Sequence, residues 1–244
     1  MLAALPLGPT FLVYVAVMAT IVAATLIRVL SPRAATAALA VLALWLGYAA
    51  VLGYSGIVGN TRLPVPGVFI LLAPIVAFVA LVLVRSPAGR YLAVRVPLAW
   101  LIGLQAFRIG VELTLHRLWE LGSVPKLMTL GGGNIEILVG FSAPLFAWIA
   151  TRRPGGRRIA LIWNVVGLAS LANVAARAVL TAPGPLHLVH AEVFNTALGT
   201  FPYTFIPGFM APLAMMLHVL TFRALRAKAR TVSPKLGAVA AVAS

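Results

Sequence analysis

The sequence contains no cysteine and no aspartate, and it has few charged residues of any kind. Without cysteine the chain has no disulfide, no thiolate nucleophile and no cysteine-ligated metal. The absence of aspartate excludes proton relays and phosphorylation sites that depend on that residue. Charged residues make up only 9% of the 244 positions, whereas they make up about a quarter of a soluble domain. This composition argues against a soluble globule and predicts a protein that lies within a membrane.

Hydrophobic residues make up 62% of the chain and are gathered into long apolar runs. A membrane-spanning helix needs about 20 mostly apolar residues. Seven runs approach that length, at about 10–30, 34–56, 67–84, 96–118, 134–151, 158–182 and 203–224. They predict an all-α, polytopic membrane protein with seven transmembrane helices in one domain, 1–230, followed by a short disordered cytoplasmic tail, 231–244. No basic residue precedes the first run, so we expect a retained span and not a cleaved signal peptide.

Basic residues lie in short groups between the apolar runs. Fourteen fall on one side of the predicted membrane and three on the other, with Arg108 and Arg177 inside spans. Because loops rich in Lys and Arg stay in the cytoplasm, this asymmetry predicts an outside N-terminus and a cytoplasmic C-terminus in a bacterial inner (plasma) membrane. The net charge of +15 follows membrane topology, so we expect the lipid bilayer and not a nucleic acid as the partner.

The fourth run carries a polar stripe of four residues, Gln105, Arg108, Glu112 and His116. Their spacing places them within about 80° of one helix face. Arg108 is then near the membrane midplane, with Glu112 about 6 Å further out. A charge at the bilayer centre costs roughly 3 kcal/mol or more, so partners or a function must hold these residues there.

Further polar residues are predicted to lie in the same outer half of the membrane. Including the stripe, the predicted ligand-binding set is Gln105, Arg108, Glu112, His116, Asn134, Glu136, Asn173 and Arg177. Two interpretations stay open: Arg–Glu pairs and amides that join helices, or a pocket that meets a ligand. The spacing also leaves open whether Arg108 pairs with Glu112 on its own helix or with Glu136 on the next.

The histidines allow a metal hypothesis. His187, His190 and Glu192 lie close together in the sixth connection and could ligate zinc or copper, with His116 as a further ligand. His218 is predicted to be a packed or interfacial histidine near the cytoplasmic end of the seventh run. Prolines inside the runs predict kinks, and Pro207 with Pro212 could loosen the seventh helix beside a cavity.

Two known classes of seven-helix protein are disfavoured. A retinal pigment needs a lysine inside the last span, but the lysines are Lys126, Lys228 and Lys235, all outside the predicted spans. Membrane hydrolases that resemble ceramidases use an aspartate, which is absent. The connections are also too short for a soluble catalytic domain, so an enzyme is the less favoured class, and the sequence does not specify a cofactor.

Several short motifs resemble those of a family of uncharacterised bacterial seven-helix membrane proteins. The similarity spans about residues 60 to 225 and rests on Pro125, Met128, Thr129, the Gly132–Gly133 pair, Asn134, Ile135, Glu136, Ile137, Trp163, Asn164, Asn173, the 182–185 loop, Phe201, Pro202, Pro207, Pro212 and His218. The resemblance implies the seven-helix topology and carries no activity with it.

Three functional hypotheses follow. The first is binding or transport of a small polar or anionic ligand at an outward-facing Arg/Glu site between the fourth, fifth and sixth spans. The second is a non-catalytic subunit or assembly factor with a membrane-protein partner. The third is an outward-facing membrane enzyme that holds metal or haem through His116, His187, His190 and Glu192.

Overall fold

The computed structural model describes residues 6–63 and 65–242, with side-chain surroundings up to Ala227. Within these ranges the chain is all-helical, without a β-strand. Its α-helices, in order, are α1 (Leu7–Val29), α2 (Pro32–Tyr54), α3 (Gly67–Phe78), α4 (Pro87–Arg95), α5 (Leu98–Gly103), α6 (Arg108–Glu120), α7 (Glu136–Arg152), α8 (Gly156–Leu180) and α9 (Ala211–Val242). The all-α prediction is therefore confirmed.

Six helical stretches in the described part of the chain are long and apolar enough to cross a membrane. They are Leu7–Val29, Pro32–Tyr54, Gly67–Arg85, Leu98–Glu120, Gly156–Leu180 and Ile206–Ala227. They correspond to all the predicted spans except the fifth, which is the shorter helix α7, of 17 residues. The length and composition of these helices indicate a membrane protein.

Helix α7 begins inside the bundle, beside the middle of the Leu98–Glu120 stretch. A Cβ on Gly140 would lie 3.5 Å from the Cβ of Arg108, and one on Gly103 would lie 3.7 Å from the Cβ of Ala147. Helix α7 therefore runs antiparallel to α5 and α6, and its first residue lies well below the end of α6 at Glu120. The predicted fifth span includes Asn134, whereas the helix starts at Glu136.

The segment that leads into α7 is partly buried and not α-helical, with Met128, Thr129 and Asn134 turned inward. It forms two short 3₁₀ turns, Lys126–Met128 and Leu130–Gly132, and Gly133 takes the left-handed backbone conformation with φ of 87°. Non-helical backbone at membrane depth must have its carbonyl groups satisfied by other parts of the protein. Arg177 does this, because its Nη1 donates to the carbonyls of Leu127 at 2.9 Å and Gly132 at 2.7 Å.

Helix α2 compensates for a proline in α3. Pro74 has no N–H, so the carbonyl of Ile70 one turn earlier loses its helical donor. The Tyr48 hydroxyl, from α2, donates to that carbonyl at 2.8 Å. Past the proline, α3 continues as a π-helical stretch from Val79 to Arg85.

The same helix compensates for a proline in α9. Pro212 leaves the carbonyl of Gly208 without its helical donor, and Trp45 Nε1 donates to it at 2.7 Å. Gly208 lies in the π-helical turn Ile206–Met210 that leads into α9. A π-helical turn thus lies at the start of the seventh predicted span, where Pro207 and Pro212 line a cavity.

Residues 85–95, which lie between the third and fourth apolar runs, contain helix α4. Ser86 is its N-cap, with Oγ accepting from the N–H of Ala88 at 3.1 Å, and Pro87 occupies the first helical position. A serine N-cap followed by proline is an ordinary signal of a helix start. The segment was interpreted from its basic residues, so this signal was not used.

Small residues on α7 allow close packing of the bundle. Ala143, Ala147 and Ala150 are buried against α5 and α8, in a cluster that includes Ile102 and Trp163. Close approach through small side chains is how helices associate in membranes, where lipid competes for apolar contact.

The disordered tail predicted for 231–244 stays a prediction. It covers the end of α9, where side-chain surroundings are not described, and residues 243–244, which lie outside the described ranges.

Candidate functional site

Arg108 and Glu136 form a buried ion pair at the centre of the bundle. Arg108 Nε donates to Glu136 Oε2 at 2.7 Å, and Nη2 donates to the same oxygen. Ser170 on α8 donates to the other carboxylate oxygen of Glu136. Glu136 is the first residue of α7, where the positive end of the helix dipole favours a negative charge. The tertiary structure thus resolves the pairing of Arg108 in favour of the more distant glutamate.

His218 completes the coordination of Arg108. Its Nε2 lies 2.9 Å from Arg108 Nη1, and its Nδ1 lies 2.7 Å from Asn164 Oδ1. A guanidinium group only donates hydrogen bonds, so Nε2 must accept and Nδ1 must carry the proton. The histidine is therefore the neutral Nδ1–H tautomer, and it is fully buried. His218 was predicted to be a packed or interfacial histidine; it is packed, and its ring lies against Arg108 in the network.

Glycine at position 167 makes room for this arrangement. A Cβ there would lie 2.6 Å from Cε1 of His218, far inside van der Waals contact. The carbonyl of the same glycine accepts from Arg108 Nη2 at 3.3 Å. Helices α8 and α9 can therefore approach closely only where α8 has no side chain.

The backbone just before Arg108 departs from α-helical geometry. Residues Leu104–Phe107 form a 3₁₀ turn between α5 and α6, and the carbonyl of Phe107 accepts from the Tyr14 hydroxyl on α1. Gln105 in this turn is buried and donates to the carbonyl of Ala214 on α9 at 3.1 Å. Mid-helix 3₁₀ turns often mark functional or strained positions.

Glu112 is buried without a cationic partner among the described residues. Its side chain is almost fully buried, at 2% relative exposure, and one oxygen accepts from Asn134 Nδ2 at 2.6 Å. The other oxygen, Oε1, has no hydrogen-bond partner among the described residues. Asn134 also accepts from the N–H of Glu136 at 3.2 Å, so it joins the two carboxylates of the site.

A cavity of about 440 Å³ lies beside this network, between α3, α6, α8 and α9. Arg108, Glu112 and Glu136 contribute to one part of its wall, and Asn195 contributes to another. Most of the remaining wall is apolar, including Leu72, Ile75, Phe107, Leu115, Leu171 and Met210. At one end of the bundle, the α2–α3 and α8–α9 connections close the cavity.

The other predicted ligand-binding residues lie away from the cavity wall. His116 is half-exposed and lies 3.5 Å from Glu120 on the same helix. Arg177 holds the segment before α7, and Asn173 accepts from it at 3.3 Å. Gln105 is buried against α9. Arg108, Glu112, Asn134 and Glu136 are the predicted residues that the fold brings together.

The predicted metal ligands are not gathered at one point. The rings of His187 and His190 lie 4.9 Å apart, edge to face, and His187 also contacts Phe194. Glu192 instead accepts from the backbone N–H of Lys126, and this bond lowers the pKa of its carboxyl below the ordinary value of 4.5. Within the described residues, no cluster of three histidine, cysteine or acidic side chains could hold a metal ion.

Asn164, Ser170 and His218 are network residues that were not predicted as part of the site. All three are polar residues inside apolar runs, which is a signal of function or of polar contact between helices. Asn164 and His218 each occur in the motifs that carry the family resemblance. The sequence alone did not show where these residues lie relative to Arg108, because they are on other helices.

Fold and site together define an all-helical membrane protein with a buried ionic network beside a largely apolar cavity. The chain belongs to the family described as a domain of unknown function (DUF8737), which matches residues 65–226. This range includes every residue of the network and begins after α2. No curated protein and no solved structure matches the chain.

Proposed function

We propose that this protein binds a small ligand in the central cavity, as a step in binding or transport across the membrane. The observation that carries the proposal is Glu112, which lines the cavity and has one buried carboxylate oxygen without a hydrogen-bond partner among the described residues. A volume of about 440 Å³ falls in the range of small-molecule sites, roughly 300–1,000 Å³. Such sites combine mostly apolar walls with a few polar groups, as this one does.

The Arg108–Glu136 ion pair forms part of the cavity wall, but its polar groups already have partners and are not available to bind a ligand. Arg108 is already engaged by Glu136, His218 and the carbonyl of Gly167. An anionic ligand would have to displace Glu136 from it. The cavity lies between α3, α6, α8 and α9, and α7 reaches its wall with Glu136, the first residue of the helix. This shifts the proposed site from the predicted position between the fourth, fifth and sixth spans.

The proposal includes a topology of seven crossings with the N-terminus outside, in a bacterial plasma membrane. Helix α7 has 17 residues and is about 26 Å long, slightly short of a hydrocarbon core of about 30 Å. The non-helical segment 126–135 completes this crossing, and Arg177 donates to two of its carbonyls. The distribution of Lys and Arg supports the orientation. The cavity then lies in the outer half of the membrane.

Native mass spectrometry of the full chain in mild detergent tests the proposal. Ala175 lines the cavity from α8, whereas the neighbouring Ala176 is exposed and does not line it. We expect a bound small molecule on the wild type and on Ala176→Phe, and its loss from Ala175→Phe. Both variants place the same side chain on the same helix. Equal occupancy of the two variants, or a bare wild-type chain, would contradict the proposal.

A further inference from the structure

Two buried oxygen atoms at the cavity have no hydrogen-bond partner among the described residues: Glu112 Oε1 and Asn195 Oδ1. Both side chains are fixed through their other polar atom. Glu112 Oε2 accepts from Asn134, and Asn195 Nδ2 donates to the carbonyl of Ala178 at 2.9 Å. Because a carbonyl cannot donate, the second contact also fixes which end of the Asn195 amide is oxygen. Buried polar groups are normally paired, so the missing partner must supply hydrogen-bond donors.

The charge of the site favours a cation. Arg108 and Glu136 neutralise each other in direct contact, which leaves Glu112 without a compensating charge among the described residues. A buried ionised carboxylate is costly unless it is paired. A ligand with one positive charge makes the site neutral, whereas an anion adds a second negative charge beside Glu112.

The rest of the ligand must be apolar. The cavity wall is formed by aliphatic and aromatic side chains over most of its area, from Leu72 and Ile75 on α3 to Met210 at the start of α9. A strongly hydrated ligand would lose its water here without replacement hydrogen bonds. A ligand with a polar head at Glu112 and an apolar body fits this wall.

The cavity reaches the side of the bundle between α3 and α8. These two helices are not among the closely packed pairs of the bundle, and the cavity fills the space between them. Three of its lining residues, Val76 on α3 and Ala172 and Ala175 on α8, are exposed on the lateral surface. In a membrane this surface faces lipid tails, so an apolar ligand can reach the site without leaving the bilayer.

We propose that the ligand is a lipophilic amine whose ammonium group binds Glu112 and whose apolar body enters between α3 and α8. This inference rests on the proposed function, since it names the chemistry of the ligand that the cavity holds. The ammonium provides several donors and one positive charge, which match the free acceptor and the uncompensated carboxylate of Glu112.

Photoaffinity labelling of the full chain in lipid nanodiscs tests this ligand class. The probes are photoactivatable alkyl chains of equal length that end in an ammonium, a hydroxyl or a carboxylate group, and labelled sites are mapped by peptide mass spectrometry. We expect the ammonium probe to label the cavity-lining part of α3 most strongly. We expect Glu112→Gln to reduce that labelling about tenfold, because it removes a charged hydrogen bond while the glutamine still accepts from Asn134.

Glu120→Gln is the matched control, since Glu120 lies on the same helix, is half-exposed and pairs with Arg117 outside the cavity. It should leave labelling unchanged. The comparison of probes on the wild type needs no variant, so a folding defect in Glu112→Gln does not remove the test. Equal labelling by all probes, preference for the carboxylate, or unchanged selectivity in Glu112→Gln would overturn the ligand class.

The same experiment separates this inference from the proposed function. Equal labelling by all probes that disappears in Ala175→Phe and persists in Ala176→Phe would leave a ligand cavity but overturn the amine. Cavity labelling by no probe would overturn both. A phosphatidylethanolamine headgroup carries the same ammonium, so labelling is repeated with and without that lipid. Competition by the lipid identifies it as the source of the amine, and lack of competition identifies a free amine; both outcomes support the ammonium site.

Discussion

A guanidinium group in the middle of an apolar bundle needs partners for both its charge and its N–H groups. Glu136 provides the counter-charge for Arg108, and the neutral His218 ring and a backbone carbonyl accept further hydrogen bonds from it. The carboxylate of Glu136 is satisfied in turn by Ser170. This part of the site is therefore complete without a ligand, whereas Glu112, one helical turn away from Arg108, is not.

The two buried glutamates should respond differently to the same substitution. Glu136→Gln removes the counter-charge of Arg108, and breaking a buried pair in this way costs about 3–5 kcal/mol of unfolding free energy. Glu112→Gln removes a charge that has no cationic partner among the described residues and keeps the acceptor for Asn134, so we expect a change below about 1 kcal/mol. Thermal unfolding in detergent, followed by loss of monodisperse protein, measures both.

Similar losses in the two variants would contradict this assignment, because they would mean that Glu112 also compensates a buried charge. A large loss in Glu112→Gln with none in Glu136→Gln would assign Arg108 to the nearer glutamate. Glu120→Gln, at a half-exposed surface position, provides the baseline for removing one carboxylate from α6.

At the scale of elements, α2 supports two helices that proline interrupts. Tyr48 and Trp45 donate to the carbonyls that Pro74 in α3 and Pro212 in α9 leave free. Their rings also contact each other, with centroids 5.2 Å apart. Both interrupted helices line the cavity, so α2 stabilises the cavity wall from behind although it precedes the family-matched range.

Tyr48→Phe isolates this support, since it deletes one hydroxyl and leaves the ring in place. We expect a loss of about 0.5–1.5 kcal/mol of unfolding free energy, the usual contribution of one hydrogen bond. Tyr54→Phe makes the same change at the end of the same helix, on a side chain that is 86% exposed, and should have no effect. Equal melting temperatures for the two variants in detergent would show that the Ile70 carbonyl does not depend on Tyr48.

At the scale of the whole molecule, the two ends of the bundle differ in charge. One end carries the arginine-rich α7–α8 connection, and the other carries the α2–α3 and α8–α9 connections beside the cavity. This asymmetry supports the proposed orientation, in which the cavity lies in the outer half of the membrane.

The orientation can be tested on a background without native cysteine. Single cysteines at Thr61, in the α2–α3 connection, and at Pro154, in the α7–α8 connection, lie in exposed turns. A membrane-impermeant maleimide should label Thr61→Cys in intact cells and Pro154→Cys only after the membrane is opened. A permeant maleimide, which should label both in intact cells, is the control. The reverse pattern would invert the topology, and labelling of both by the impermeant reagent would contradict seven crossings.

The sequence by itself determined the features that depend on neighbouring residues. Hydropathy and length predicted the helical membrane protein and six of its long helices, because apolar runs are local properties. The spacing of Arg108 and Glu112 placed them on one face, because helical periodicity is local too. The fifth predicted span does not follow this pattern, because its helix starts at Glu136 inside the bundle and a partly exposed non-helical segment precedes it.

Only the tertiary structure decided which polar residues meet. Arg108 pairs with a carboxylate 28 positions away and with a histidine 110 positions away, whereas the glutamate one turn along its own helix bonds to an amide. Periodicity gives the direction of a side chain from one helix, but not the rotation and depth of the helix that faces it. Those depend on close approach at positions such as Gly167, on the proline turns, and on the space that α3 and α8 leave between them.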